Sequence, residues 1–412
     1  MKNIKVFKIG GSLLTTPDKF IEIGRSLLKY RPKKICLVVS AMKGNTDNLI
    51  KTYLSAIPRP DFYNFEQFVG LGEVQSALLF ESAFINLKQR VKAILPWMKE
   101  WPIYISLREK GELSPKKINE RRNFSLLKKS RMAVKKYLLP LLKKGTIIII
   151  PGFVARDSRD RILTLGRGGS DISALLMAEL LGAEELVLLK DVKGVMSLDP
   201  GIIKTGKELN YLDSESLGLV AASGAQVLNP ISLKHRTSLK LMRVVSTKSR
   251  GGTEIRFSKE VTVQASKTAF AVLTFIGEAI PETPGILHKI SQRLARHDIS
   301  IYSITISDNL IAIYTAEQRA EPAYRLLSPL LNRIKNLKVL NLKKGIGKIV
   351  VRSLKFINEP GIIKKIVTPI SKKGINLWEV LTVHTDVMVF VEYKDLKPTY
   401  EIIKNIFKEK ND

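Results

Sequence analysis

Cysteine occurs once in the 412 residues, at Cys36. An intramolecular disulfide framework is therefore excluded. Cys36 stands inside the apolar run Ile35–Val39, so a small core residue is its simplest reading. Long apolar runs are also lacking: none approaches the ~20 residues that cross a bilayer as a helix. Met1–Gly10 has no signal-peptide pattern, only a short polar start followed by Val-Phe-Lys-Ile. The expectation is a soluble, cytoplasmic protein without a membrane partner. Acidic residues are scarce, with 38 Asp+Glu against 68 Lys+Arg and a net charge of +30. Such a surplus suits a polyanion. Helix-turn-helix, zinc-finger and aromatic stacking patterns are absent, however. The lysines are scattered over predicted helices, as in Lys128–Lys129, Lys135–Lys136 and Lys364–Lys365. Surface charge adaptation is the simpler reading, and nucleic acid is not the expected partner. A Walker A loop is missing too.

The chain has an ordinary apolar share, 45%, and a length that suggests two or three domains. Its most informative stretch is Thr164–Asp171, Thr-Leu-Gly-Arg-Gly-Gly-Ser-Asp. A β-branched run, Thr146–Ile150, precedes it, and a helical pattern follows through Leu181. The stretch is therefore a loop that opens a helix. Its glycines allow close backbone approach, and the helix start favours an anion. Arg167 supplies a fork for a carboxylate or phosphate. Ser170 and Asp171 add a hydroxyl and a carboxylate.

Upstream, Val6–Ser12 reads as a strand entering a Gly-Gly turn, with Lys8 alternating out of apolar neighbours. Gly10, Gly11 and Ser12 offer backbone donors beside that cation, which reads either as a phosphate cradle or as an ordinary strand–turn. Lys34–Ser40 is a buried-type strand, which places Ser40 and Thr46 where parallel α/β sheets bind ligands. Backbone capping is the plainer role for both. Phe65–Phe84 reads as a helix interrupted at Gly70-Leu71-Gly72-Glu73, where Glu73 points either into a cleft or to the surface. Arg108–Asn123 reads as a loop or lid, and Leu126–Lys144 as a basic amphipathic helix. Glu185–Leu189 is a further strand, followed by Lys190-Asp191 and, after Gly194-Val195, Met196. Ser214–Ala222 reads as helical and leads into Gly224-Ala225-Gln226. Strand–helix alternation to residue 250 implies a mostly parallel sheet.

Gly251-Gly252 marks a boundary, beyond which β-α-β-β-α occurs twice in tandem. Glu282-Thr283-Pro284-Gly285-Ile286-Leu287 answers Asn358-Glu359-Pro360-Gly361-Ile362-Ile363, and Asp298-Ile299 answers Gly374-Ile375. In this second half the strands are expected at Phe270–Phe275, Ile299–Ile306, Leu310–Thr315, Lys348–Val351, Ile375–Thr382 and Val387–Tyr393. Each Pro-Gly turn leaves backbone donors at a helix start, suited to a small carboxylate.

These motifs resemble the aspartate kinases, members of the amino-acid kinase superfamily with two regulatory ACT domains behind the kinase. The resemblance rests on Gly152-Phe153-Val154, Thr164–Asp171, Asp191-Val192-Lys193-Gly194-Val195, Asp199-Pro200, Val39–Met42 with Thr46, and Gly72-Glu73. It implies an α/β amino-acid kinase fold over 1–250, a central mostly parallel sheet between helices. Two α+β ferredoxin-like ACT domains over 268–342 and 346–412 would follow. It implies that ATP with Mg²⁺ phosphorylates L-aspartate, the first step towards lysine, threonine and methionine. By motif match, Lys8 and Asp171 are the catalytic residues, and Ser40, Thr46, Glu73, Arg167 and Ser170 hold aspartate. Lys8, Gly10, Gly11, Ser12, Lys190, Asp191, Met196 and Gln226 form the nucleotide side, with no protein metal cluster expected. Pro284, Gly285, Ile286 and Asp298 mark an allosteric position for lysine or threonine, and a homo-oligomer built through the ACT domains is expected.

The chain departs from the family mostly on the nucleotide side. Lys190 replaces a threonine, Met196 a tyrosine, Gly201 an arginine, Gln226 a lysine and Asn229 a histidine. Lys8-Ile9-Gly10-Gly11-Ser12-Leu13 is closer to other branches of the superfamily than to Lys-Phe-Gly-Gly-Thr-Ser. Two other readings stay open: a superfamily kinase acting on another small carboxylic acid, and a non-catalytic amino-acid sensor.

Overall fold

The β-branched runs of the first half become parallel strands buried on both faces, as continuous apolar runs of this kind require. A computed structural model describes residues 4–29, 34–107, 124–166, 168–191, 194–198, 205–213, 216–217, 220, 239–246, 251–257, 261–353, 356 and 360–408. The chain divides into two compact units, Met1–Glu260 and Val261–Asp412.

In the first unit the sheet strands are β1 (Ile4–Ile9), β2 (Lys34–Val39), β3 (Val91–Ala93), β4 (Ile147–Pro151), β5 (Glu185–Lys190), β6 (Tyr211–Asp213), β7 (Leu241–Ser246) and β8 (Gly252–Arg256). Their order is β6-β8-β7-β5-β1-β2-β4-β3. Neighbours are parallel except β7 and β8. The helices that matter for the site are α1 (Lys19–Lys29), α2 (Asn45–Ala56), α3 (Phe62–Val69), α4 (Leu71–Asn86) and α5 (Gly169–Leu181). Period-2 alternation sends Phe7 and Ile9 of β1 into a core with Phe20, Ile23, Phe80 and Phe84 of α1 and α4. Lys8 points to the opposite face, where α5 lies. Chain order carries β2 and β4 to one side of β1, then β5 and β7 to the other. β1 is therefore the topological switch of the sheet, and a site is expected at its carboxyl end.

Several expectations change in detail. The single interrupted helix is two helices, α3 and α4, joined at Gly70, which keeps helical backbone angles. Together they span Phe62–Asn86, which does meet the length and mean hydropathy of a membrane span, contrary to the sequence reading. More than half of its apolar window is buried inside the unit. The basic helix runs over 128–143 with a π turn at Val134–Leu138. Cys36 is fully buried in β2, and burial pushes its thiol pKa up. The loop 108–123, most of the expected helix at 214–222 and the segment 224–230 lie outside the described residues.

The second unit holds β9 (Thr262–Ala265), β10 (Phe270–Gly277), β11 (Ser303–Ser307), β12 (Leu310–Ala316), β13 (Leu337–Arg352), β14 (Leu377–Val383) and β15 (Asp386–Glu392). They form one antiparallel sheet, ordered β11-β12-β10-β13-β15-β14, with β9 pairing onto β13. The expected strand Lys348–Val351 is much longer. β13 has 16 residues and pairs with β10 in its first half and with β15 in its second. Lysines at 338, 343 and 344 hid the first half, because they sit on its exposed positions. Helices α6 (Ile286–Ala295), α7 (Ala320–Leu327), α8 (Ile362–Lys372) and α9 (Leu396–Ile406) cover one face in two ferredoxin-like repeats. β9 packs in the second repeat's core through Val263 and Ala265, with Val261 just before it.

The repeat extends to the backbone. Gly285 and Gly361 both cap their helices in the left-handed region, at φ 83° and 85°. Asp298 and Gly374 both take positive φ after the helix end. Ile290 and Ile366 occupy equivalent, fully buried core positions. Ile290→Ala and Ile366→Ala should each destabilise this unit by about 2–5 kcal/mol. Calorimetry on the full chain would read this as a lowered transition, and an unshifted transition would contradict the paired cores.

Candidate functional site

Four strand ends and two helix starts meet at the carboxyl edge of β1. β1 ends at Ile9, and Gly10 donates its N–H to the carbonyl of Leu189 on β5, at 3.2 Å. That donor is therefore not available to a phosphate, which corrects one part of the expected cradle. Gly11 and Ser12 open a short 3₁₀ turn immediately after it. Gly11 lies so close to the Ala41 carbonyl oxygen that a Cβ would stand 2.7 Å from it. Ser12 Oγ donates to Asp191 Oδ1 at 2.9 Å, which ties this turn to the end of β5.

On the other face Lys8 Nζ meets Asp171 Oδ1 at 2.8 Å, with both side chains nearly buried. Asp171 lies in the first turn of α5, whose helix start carries partial positive charge. The tight entry into α5 depends on Gly166 and Gly168, at φ 73° and 78°. Ser40, at the end of β2, donates to Ser170 Oγ at 2.9 Å. Gly152 makes that approach feasible: a Cβ there would stand 2.8 Å from Ser170 Cβ. Lys190 is half-buried at the end of β5. Burial lowers its pKa, opposed by the nearby Asp171 and assisted by Lys8. Met196 is half-buried on a two-residue strand paired with Glu208–Leu209.

Glu73, in the first turn of α4, is nearly fully buried. Gly72 packs against Ala41 and Asn45, and Ala41 N–H donates to Glu73 Oε1 at 3.3 Å. Glu73 Oε2 is buried without a hydrogen-bond partner. Burial pushes the carboxyl up to about 8, against the Ala41 N–H and the Lys8 charge. A buried oxygen lacking a donor fits a ligand that brings one, such as an ammonium. Thr46 is half-buried in the first turn of α2, next to Asn45. The structure thus brings together Lys8, Gly11, Ser12, Ser40, Glu73, Ser170, Asp171, Lys190 and Asp191. Arg167, Gly201, Gln226 and Asn229 lie outside the described residues.

Sequence reasoning missed Glu66. This α3 residue is fully buried, and its Oε2 accepts from Thr164 N at 2.6 Å and Thr164 Oγ1 at 2.7 Å. The available signal was an acid amid the aromatic positions Phe62, Phe65 and Phe68, one helical heptad before Glu73.

In the second unit Gly285 opens α6, but the Ile286 side chain is buried in the core. Only the Ile286 backbone is left to meet a ligand. Pro284 lies in the turn ahead of it, and Asp298 at φ 52° ends the following turn.

The model of the amino acid kinase family matches residues 3–243. The chain belongs to the amino acid kinase family. It is a kinase. An aspartokinase of Thermus thermophilus is 26% identical over 417 residues, covering 95% of each chain. An aspartate kinase of Pseudomonas putida is 25% identical, covering 98% of this chain and 97% of its own. The crystal structure of aspartate kinase from Synechocystis superposes with a TM-score of 0.69 at 21% identity. It covers 98% of this chain and 69% of its own. The likeness thus runs through both units, and the fold is shared.

The pH dependence of stability has a definite sign. Glu73 in the unfolded chain titrates near 4.5 and in the folded chain near 8. Between those values the folded chain keeps a proton that the unfolded chain has lost. Stability contributed at this position therefore falls as pH rises from about 4.5 to about 8. Glu73→Gln should flatten the fall in melting temperature over that window. A variant with the wild-type slope would contradict the burial argument.

Proposed function

We propose that this chain is an aspartate kinase that transfers the γ-phosphoryl group of ATP to the side-chain carboxylate of L-aspartate. A carboxylate oxygen bonds to the γ-phosphorus, the bond to the β–γ bridging oxygen breaks, and 4-phospho-L-aspartate and ADP leave. The observation that carries this reading is the juxtaposition of Lys8–Asp171 with the buried, donor-seeking Glu73 in one cleft edge. The first pair suits the phosphates; the second suits an amino acid's ammonium. The aspartokinase likeness over nearly the full chain supports the same substrate. A solved relative, Escherichia coli aspartokinase III, was crystallised with aspartate and ADP. It superposes at a TM-score of 0.53.

Phosphoryl transfer needs positioning and charge neutralisation rather than a covalent nucleophile. Lys8 neutralises charge on the transferred group, and Asp171 holds Lys8 in place. The Gly11 and Ser12 donors meet the phosphates, and Lys190 adds a cation on the nucleotide side. Ser40, Ser170 and Thr46 line the acid's position, and Arg167 clamps a carboxylate. Glu73 takes the α-ammonium and loses its proton as it does so. Among the described residues no cluster of three acidic, His or Cys ligands is present. An ion such as Mg²⁺ brought with ATP would take most of its ligands from phosphate and water. Bound there, Mg²⁺ would screen the phosphate charge. The second unit is proposed to bind a regulatory amino acid, lysine or threonine, at the Pro284-Gly285 helix start, within a homo-oligomer.

The departures at Lys190 and Met196 favour one competing reading, a kinase for another small carboxylic acid. The deciding assay is ADP formation from Mg²⁺-ATP with and without L-aspartate, with hydroxylamine to trap the acyl phosphate. Aspartate-dependent hydroxamate is expected. Turnover with another acid alone would move the assignment to that acid. Lys8→Ala should lower turnover by at least about 100-fold while the chain stays folded by circular dichroism. Unchanged turnover would remove Lys8 from the site.

A further inference from the structure

We infer that Glu66 is a positioning residue that fixes the approach to Ser170 and Asp171 at the start of α5, and so sets the grip on the acid substrate. The inference rests on the aspartate kinase reading above and goes beyond it, because Glu66 lies on α3, outside the cleft edge.

Thr164 is the last residue of the strand Ile162–Thr164, which pairs with Val154–Arg156. Like Glu66, it is fully buried. From Thr164 only the segment 165–168 remains before α5 begins. Gly166 and Gly168 adopt the left-handed region, which offers little rigidity of its own. Whatever holds the two ends of this segment therefore holds the loop. The downstream end is held by packing, by the Ser40–Ser170 and Phe153–Ser173 hydrogen bonds and by the Lys8–Asp171 pair. A Cβ on Gly169 would stand 2.5 Å from the Phe153 ring, and Phe153 N–H donates to Ser173 Oγ at 3.0 Å. At the upstream end Leu165 N–H donates to the Phe153 carbonyl at 2.7 Å. Glu66 adds a side-chain contact there, receiving both the backbone and the side-chain donor of Thr164 on one oxygen. A buried carboxyl with this arrangement fixes both the height and the rotation of residue 164.

α3 and α4 meet at Gly70, so the same helix pair carries Glu66 and Glu73. One acid faces the substrate position directly, and the other holds the loop on its far side. The spacing between the two sides of the acid site is thereby set by one helical element.

The test compares wild type with Glu66→Gln and Thr164→Val in the full chain. Glu66→Gln keeps size and exchanges one carboxyl oxygen for an amide nitrogen; Thr164→Val keeps the backbone donor and loses the hydroxyl. Glu66→Gln should raise KM for L-aspartate about tenfold or more, as misplacement of positioning groups does. KM for ATP should change less than twofold. Thr164→Val should move the same constants in the same direction by less, and the double variant should be less than multiplicative. Hydrogen exchange of the peptide covering 163–171 should accelerate in Glu66→Gln without any ligand. That last readout separates this inference from the aspartate kinase reading. A wild type without aspartate turnover overturns the reading, while accelerated exchange still supports the anchor. A lowered melting temperature with unchanged KM and unchanged exchange would overturn the inference and leave Glu66 a stabilising core acid.

Discussion

The buried ion pair between Lys8 and Asp171 is the constraint on which the rest of the site depends. Removing two charges from water is costly, and mutual attraction at 2.8 Å offsets that cost only with good geometry. Hydrophobic residues of similar volume would often serve stability as well. The pair is therefore a charge held at the switch strand rather than a stability device. The fold sets that contact through period-2 alternation on β1, although Asp171 Oδ1 makes no well-aligned hydrogen bond. Phe7 and Ile9 anchor one face in the core, which leaves Lys8 on the other face, opposite the first turn of α5.

Close backbone approach then assembles the surroundings. Gly11 lies against the Ala41 carbonyl, Gly72 against Ala41, and Gly152 against Ser170. Each contact joins a different pair of segments, and each would be blocked by a side chain. The outcome is a site with two chemistries close together: a cationic side at Lys8 and Lys190, and a carboxyl side at Glu73. Burial alone keeps Glu73 protonated near neutrality. A ligand ammonium would reverse that balance, and under the proposed reading its binding would release the Glu73 proton.

Much of this was legible in the sequence. Gly-Arg-Gly-Gly-Ser-Asp announced a loop at a helix start, and alternation marked Lys8 as the exception on an apolar strand. The two Pro-Gly turns announced the repeat. What escaped was of another kind. Glu66 looks like an ordinary polar residue on an amphipathic helix. Its partner lies 98 residues away, and only tertiary packing reveals the contact. The Gly10 donor looked available because a strand's hydrogen-bond partner cannot be read from its own residues. The long β13 was hidden because one half faces solvent with lysines, which breaks the alternation that marks a strand.

The measurement that tests the central claim most directly is turnover of Asp171→Asn at saturating substrates, with melting temperature recorded beside it. The account predicts a loss of about 100-fold or more in kcat. Substrate KM values should stay within a few-fold, and the chain should stay folded. Wild-type turnover in this variant would show that Lys8 needs no partner there, and that the ion pair is not the organising element of the site.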